Sequence, residues 1–231
     1  MATVRERLQA VAGRIEAAAR AAGRDPAAVH LVAVSKTFAP SDLRAAWAAG
    51  QRAFGENYAQ EALDKMHYVA DLDIEWHFIG PIQTNKTRPI AERFHWVHSV
   101  DRLKIARRLS EARPGTLPPL QICLQVNVRG EDSKSGVAPE ELEELTRGVA
   151  GLPRLALRGL MTIPRPTTDP LLQREQFRAL RELRDRLAAR VGVALDTLSM
   201  GMSEDLEAAI AEGATIVRVG RAIFGERLRK G

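Results

Sequence analysis

The sequence predicts an α/β fold: a (β/α)₈ TIM barrel with an extra N-terminal helix ahead of the first strand. Three observations predict it. Eight short β-like runs recur along the chain, stretches of helical spacing separate them, and 231 residues at 45% hydrophobic and 27% charged suffice for one substantial core. Strict alternation implies right-handed βαβ units on a parallel sheet, and eight units allow closure. An open doubly wound sheet is the structural alternative. No Pro/Gly/Ser-rich linker, low-complexity tract or repeat divides the chain, so residues 1–231 are expected to form a single domain.

The opening "MATVRERLQAVAGRIEAAARAAG" spaces apolar residues at period 3.6 among charges and predicts the extra helix, packed outside or beneath the barrel. "HLVAVS" (30–35) is almost unbroken apolar, the pattern of a strand buried on both faces. "SDLRAAWAAG" follows with the start and stop chemistry of a helix, and then "RAFGE" (52–56), the helical "NYAQEALDKM", and "IEWHFIG" (74–80). "HWVHSV" (95–100) precedes the helical "DRLKIARRLSEA"; "LQICLQVN" (120–127) precedes "PEELEELTRGVAG". "LALRGLMTI" (155–163) leads into "REQFRALRELRDRLAAR", which reads as a solvated helix surface laced with i,i+4 pairs. "TLSMG" (197–201), the helical "SEDLEAAIAEG" and "TIVRVG" (215–220) complete the set.

Composition narrows the function classes. The net charge of +5 raises the question of nucleic acid, but the cations are scattered among acids rather than gathered into a face, so no nucleic-acid partner is expected. No apolar stretch approaches the roughly 18 residues of a membrane span, and the N-terminus lacks a signal-peptide core, so a cytoplasmic protein without membrane contact is expected. Cys123, the single cysteine, lies in the apolar "LQICLQV" and reads as a small core residue. No long exposed apolar stripe demands a dimer, and a monomer is expected. No metal site is expected.

In a barrel, chemistry gathers where strands end and βα loops begin. Lys36 follows the first strand, where an ammonium group is costly to keep without a purpose; the alternative is a solvated lysine just past the strand end. Asn57 and Tyr58 follow the second strand and His77 lies in the third. At the far end of the chain, Gly201 permits close backbone approach, Ser203 can cap the next helix and offer N–H groups to an anion, and Gly220 and Arg221 precede another short helix. A lysine able to form a Schiff base, across a barrel mouth from a phosphate cradle, is the arrangement pyridoxal 5′-phosphate (PLP) needs. Val217 and Val219 should face away from the barrel interior, so Arg218 projects into it. It either pairs with a carboxylate from another strand or faces the pyridine nitrogen, to which it can only donate; an unprotonated ring nitrogen is a weaker electron sink.

The segments "LVAVSKTFAPSDLRAAWAAGQRAFGENYAQEALDKM", "IEWHFIGPIQTNKTR", "VNVRGEDSKSG", "LRGLMTI" and "LSMGMSEDLEAAIAEGATIVRVGRAIFGER" together resemble the pyridoxal phosphate homeostasis protein family, itself similar to the N-terminal barrel domain of alanine racemase. The resemblance implies a fold-type III PLP-binding barrel that acts in vitamin B6 balance. It implies Lys36 as the Schiff-base lysine, Arg218 as the partner of the pyridine nitrogen, Ser199, Ser203, Gly220 and Arg221 around the phosphate, and Asn57 and His77 lining the ring. Position 221 is often a small hydroxyl residue in that family; the arginine here is an added cation, expected to tighten a phosphate contact. Lys86 and Lys134 sit in loops predicted at the same face, either simply solvated or forming a secondary landing place for PLP or an electrostatic funnel toward the mouth.

The chain ends eleven residues after Gly220, which is expected to leave no room for the second domain whose tyrosine serves racemases as an acid/base group. Tyr58 is the nearby substitute, with a packing role as its alternative, while Tyr68 falls on the other side. The expected function is therefore storage, delivery or buffering of PLP without robust turnover, with PLP-dependent apoenzymes as candidate recipients. A PLP-dependent amino-acid racemase or lyase is the alternative, and a cofactor-free Schiff-base aldolase a third possibility.

Overall fold

The computed structural model describes residues 2–128 and 135–226. Helix α1 (Val4–Ala21) opens the chain, its start fixed by a capping box in which Thr3 and Glu6 satisfy each other's backbone N–H groups. Leu8, Val11, Ile15 and Ala19, three or four residues apart, form its buried stripe. Strands and helices then alternate: β1 (His30–Val34), α2 (Pro40–Ala48), β2 (Ala53–Glu56), α3 (Ala59–Tyr68), β3 (Glu75–Phe78), α4 (Thr87–Arg93), β4 (Trp96–Val100), α5 (Leu103–Ala112), β5 (Leu120–Gln125), α6 (Leu142–Ala150), β6 (Leu155–Met161), α7 (Pro170–Val191), β7 (Thr197–Ser199), α8 (Leu206–Ala211), β8 (Ile216–Val219) and α9 (Arg221–Phe224).

The strands form a closed parallel barrel in sequence order, and β1 pairs with β8 from His30 opposite Ile216 to Ala33 opposite Val219. Every strand has two neighbours, which rules out the open doubly wound sheet. The strands end earlier than the apolar runs suggest, but Ile79, Val126 and Met200, just past the ends of β3, β5 and β7, stay buried and still donate their N–H groups to Glu56 O, Met161 O and Ile216 O of the neighbouring strands.

Helix α1 lies outside the barrel against α8 and α9. Arg7 donates to the carbonyls of Ile223 and Phe224, Arg14 to Ser203 O and the Glu207 carboxylate, and Arg24 to Ile210 O. Arg14 thereby holds the loop after β7 from behind, Arg24 holds the end of α8, and Arg7 takes carbonyls of the last turn of α9, where a helix lacks partners of its own. The charged face of α7 differs from its expected role as a solvated surface: Arg174, Arg178 and Arg181 converge on Glu212, which is 1% exposed. A carboxylate that is buried and held by several cations locks α7 to the end of α8.

Cys123 is fully buried, and burial pushes its thiol up to about 12, so it packs as a small apolar residue. Among the described residues no helix is long and apolar enough to cross a membrane.

Candidate functional site

Lys36 stands two residues beyond Val34, the last residue of β1, and is half-buried. The backbone on either side of it is pinned. Ser35 Oγ donates to Glu56 Oε1 at 2.6 Å, and Ser35 O accepts from Lys65 Nζ at 2.6 Å. The Thr37 N–H donates to Glu61, and Thr37 adopts φ 69°, a left-handed conformation that costs a non-glycine residue about 1–2 kcal/mol. Lys65 closes the group by bonding Glu56 at 2.8 Å and Glu61 at 2.6 Å. Glu56 is fully buried; burial pushes its carboxyl up, against the pull of the Lys65 ammonium.

Sequence reasoning missed this buried lysine and its two carboxylates. The Glu61–Lys65 spacing of four on one helix was the available signal, but it reads equally well as a surface pair. Only the packing of α3 over the ends of β1 and β2 buries it.

Asn57, just past β2, is half-buried. Its Oδ1 is enclosed and, with Glu56 Oε2, belongs to the buried side-chain atoms that have no hydrogen-bond partner among the described residues. Such a group costs about 1–3 kcal/mol unless a ligand supplies a donor. Tyr58 is 56% exposed and so is not the packing residue of its alternative reading, and Tyr68, the last residue of α3, is also exposed. Lys86 ends a short 3₁₀ turn (Thr84–Lys86) after β3. Lys134 lies outside the described residues.

The loops after β7 and β8 meet. Gly201 has φ 96°, and a Cβ there would lie 2.6 Å from that of Ala209, so both conformation and space require glycine. Gly220 passes the end of β1 so closely that a Cβ would sit 3.0 Å from Val34 O, which brings the loop after β8 beside the segment carrying Lys36. Ser203 does not cap α8 as expected. The cap position is Asp205, whose side chain accepts the Met202 N–H at 2.6 Å, while Ser203 Oγ accepts from Ala222 N–H at 3.3 Å and so joins the two loops. The reason lies in closure, which puts α9 within reach of the Ser203 hydroxyl. The Arg221 guanidinium pairs with Glu204 at 2.6 Å, both side chains well exposed.

Arg218 projects into the barrel, as the alternation of β8 requires, with Val217 and Val219 in the outer core. Nη1 donates to Ser199 Oγ at 2.7 Å and Nη2 to Thr162 O at 2.9 Å. No ion pair forms between Arg218 and a carboxylate among the described residues, and burial pulls the guanidinium down to about 10, the field of Asp205 opposing. A buried cation bonded, among the described residues, to one hydroxyl and one carbonyl is suited to a further neutral or anionic acceptor.

His77 borders a cavity of about 640 Å³ at the amino-terminal end of the barrel, between the starts of β1, β2, β7 and β8. Its ring stacks on Trp96 with centroids 5.7 Å apart and planes 8° from parallel. Nε2 lies 2.7 Å from Glu75 Oε1 and Nδ1 lies 2.9 Å from His98 Nε2, while His98 Nδ1 lies 2.6 Å from Ser199 Oγ. His98 was not anticipated; its place in "HWVHSV", two residues after Trp96 and so on the same face of the strand, was the signal.

Burial holds both imidazoles neutral, pushing His77 below 6.5 and His98 well below it, although Glu75 pulls His77 the other way. The unfolded chain takes up protons near pH 6.5 where the folded one does not, so stability rises with pH across that window and is lost as pH falls. In urea titrations between about pH 8 and pH 5, unfolding free energy should decline below about pH 6.5 with a slope approaching 1.4 kcal/mol per pH unit for each buried ring. His98→Gln should remove about one proton from that slope. Equal stability at both ends of the range would mean the rings ionise freely.

Comparison with known proteins places this arrangement. The family model described as alanine racemase, N-terminal domain, matches residues 7–228. A pyridoxal phosphate homeostasis protein of Pseudomonas aeruginosa is 63% identical over 98% of this chain and 97% of its own, and that of Escherichia coli is 50% identical over 98% of each. The chain belongs to the pyridoxal phosphate homeostasis protein family. Members of this family are named for homeostasis rather than for a reaction. PipY of Synechococcus elongatus, solved both without PLP and with PLP bound, is 36% identical, superposes with a TM-score of 0.86, and is matched over 96% of this chain and 100% of its own. Alanine racemase of Corynebacterium glutamicum, 19% identical with a TM-score of 0.72, is covered over 63% of its length by 97% of this chain and shares the barrel fold.

Proposed function

We propose that this barrel binds pyridoxal 5′-phosphate as a Schiff base on Lys36 and stores, delivers or buffers it, without robust turnover of a substrate. The observation that carries the reading is the closure of β1 on β8, which sets Val32 opposite Arg218 and brings Gly220 against Val34, two residues from Lys36. One amine, one buried donor-only cation and two loops joined by Ser203 then share a mouth. PipY, a relative over nearly the whole chain, has been solved with PLP bound.

The residues present fit the group. Bound PLP supplies an aldehyde for condensation with an amine and a ring that can draw electrons from it. On the protein side, Lys36 supplies the amine, and the joined loops after β7 and β8, close-packed through Gly201 and Gly220, are where the phosphate would be held. Asn57 Oδ1 offers an unused acceptor. Ser199 is spent on orienting Arg218, and the Arg221 side chain, paired with Glu204, would add a cation only by leaving that partner.

Arg218 favours a holding role over catalysis. Its guanidinium keeps its proton at neutral pH even at about 10, so it can offer N–H to a ring nitrogen and cannot protonate it. An acceptor nitrogen in that position stays neutral, which weakens the electron sink that racemases and lyases depend on. PLP-dependent apoenzymes are the recipients such a protein would serve, and a monomer is sufficient for the site.

The test is to mix PLP-loaded protein with each amino acid in turn and follow chirality and keto-acid release. The expected result is no turnover at ordinary enzyme rates. Turnover of order 1 per second or faster would overturn the carrier reading in favour of a racemase or lyase.

A further inference from the structure

Arg218 is one end of a chain of hydrogen bonds that crosses the barrel. From Arg218 Nη1 it runs to Ser199 Oγ (2.7 Å), to His98 Nδ1 (2.6 Å), from His98 Nε2 to His77 Nδ1 (2.9 Å), and from His77 Nε2 to Glu75 Oε1 (2.7 Å). Four strands contribute: β8, β7, β4 and β3. Glu75, the first residue of β3, keeps a side chain 50% exposed and borders the amino-terminal cavity; Ser199, His98 and His77 are buried.

With both imidazoles neutral, the carboxylate end of the chain determines every proton in it. A guanidinium can only donate and an ionised carboxylate can only accept. Ser199 therefore accepts from Arg218 and donates to His98 Nδ1, His98 donates from Nε2 to His77 Nδ1, and His77 donates from Nε2 to Glu75. Both imidazoles are neutral with the proton on Nε2, and all four bonds point the same way. Bonds aligned in one direction in a low-dielectric interior polarise one another, so the charge of Glu75 is felt at Arg218. His30 on β1, His95 ahead of β4, and the Arg158–Asp196 pair are the other ionisable groups around the lower half of this chain.

We propose that Glu75, His77, His98 and Ser199 form a one-way relay that orients and polarises Arg218, making Glu75, at the amino-terminal mouth, a positioning residue for the PLP site. The role of Arg218 toward the cofactor rests on the function proposed above; the relay itself does not. A change at the lower mouth, whether protonation of Glu75 or a cation placed beside it, would then be read at the cofactor ring.

The test begins on protein free of PLP, labelled with ¹⁵N-histidine. His77 and His98 should both appear as neutral Nε2–H tautomers. Glu75→Leu removes the terminal acceptor and should let the order reverse, with the His98 Nδ1 resonance moving toward the protonated position. A His98 tautomer unaffected by Glu75→Leu, or one already protonated at Nδ1 in the unaltered protein, overturns the relay. The second arm loads the proteins with PLP: Glu75→Leu should shift the visible band and change PLP affinity by about fivefold or more, the low end of site-to-site coupling. In a Ser199→Ala background, which cuts the chain in the middle, adding Glu75→Leu should shift neither. A PLP effect of Glu75→Leu that persists in that background, or none in either, overturns the link to the cofactor. Failure of any protein to take up PLP defeats the proposed function instead, and the tautomers still decide the relay.

Discussion

Lys36→Ala protein exposed to PLP should remain without the visible band of the loaded protein. Borohydride reduction of the unaltered protein should attach the pyridoxyl group to the peptide containing residue 36, and the variant should carry no label there. The expected loss is complete because the proposed bond is covalent and Lys36 is the amine beside the two joined loops; Lys65, also near this end of β1, is engaged by Glu56, Glu61 and Ser35 O. Phosphate contacts would remain, so the variant should still bind PLP weakly and reversibly. Label on another lysine with residue 36 unmodified would end the proposed function.

Replacing Lys65 by methionine should produce the largest loss of stability. Lys65 is 5% exposed, Glu56 is fully buried, and one Oε of Glu56 already lacks a partner. Taking away the ammonium strands a buried carboxylate, which costs about 3–5 kcal/mol, or roughly 6–20 °C in Tm for a chain of this size. The same change takes one of two donors from Ser35 O, which keeps the Phe38 N–H, and loosens the turn that holds Thr37 left-handed, so reductive labelling of Lys36 should slow as well. The double variant Lys65→Met, Glu56→Leu should recover most of the stability, because a buried ion pair exchanged for apolar groups of similar volume is often neutral or better. Recovery of stability without recovery of the labelling rate would identify Lys65 and Glu56 as positioning residues for Lys36. A Lys65→Met protein as stable as the parent would show that the pair contributes nothing.

Much of this site was legible in the residues themselves. Lys36 at the end of an apolar strand, Arg218 between two valines, and glycines at 201 and 220 each carry a local reason: an expensive charge, a period of two, and small residues ahead of short helices, where the backbone can approach closely. Ser203 misled because a serine ahead of a helix is usually its cap, and here barrel closure offers its hydroxyl the Ala222 N–H instead. His77 was read as lining the ring, while its hydrogen bonds run to Glu75 and His98 and its ring borders the cavity at the other end. A strand pattern says which face a side chain takes; it does not say which residue of another strand it will meet.

By itself the sequence determined the alternation of strands and helices, the inward direction of Arg218 on β8, and the loops proposed to carry an amine and an anion site, because these follow from periodicity and backbone sterics over a few residues. Tertiary structure alone decided the partners: that Lys65 reaches Ser35 O, that Ser203 joins the loop after β8, and that Arg218 is tied through His98 and His77 to Glu75. Apart from the His77–Glu75 bond, those contacts span 19 to 101 residues of chain, and which groups meet depends on the stagger at which the closed barrel sets one strand against another.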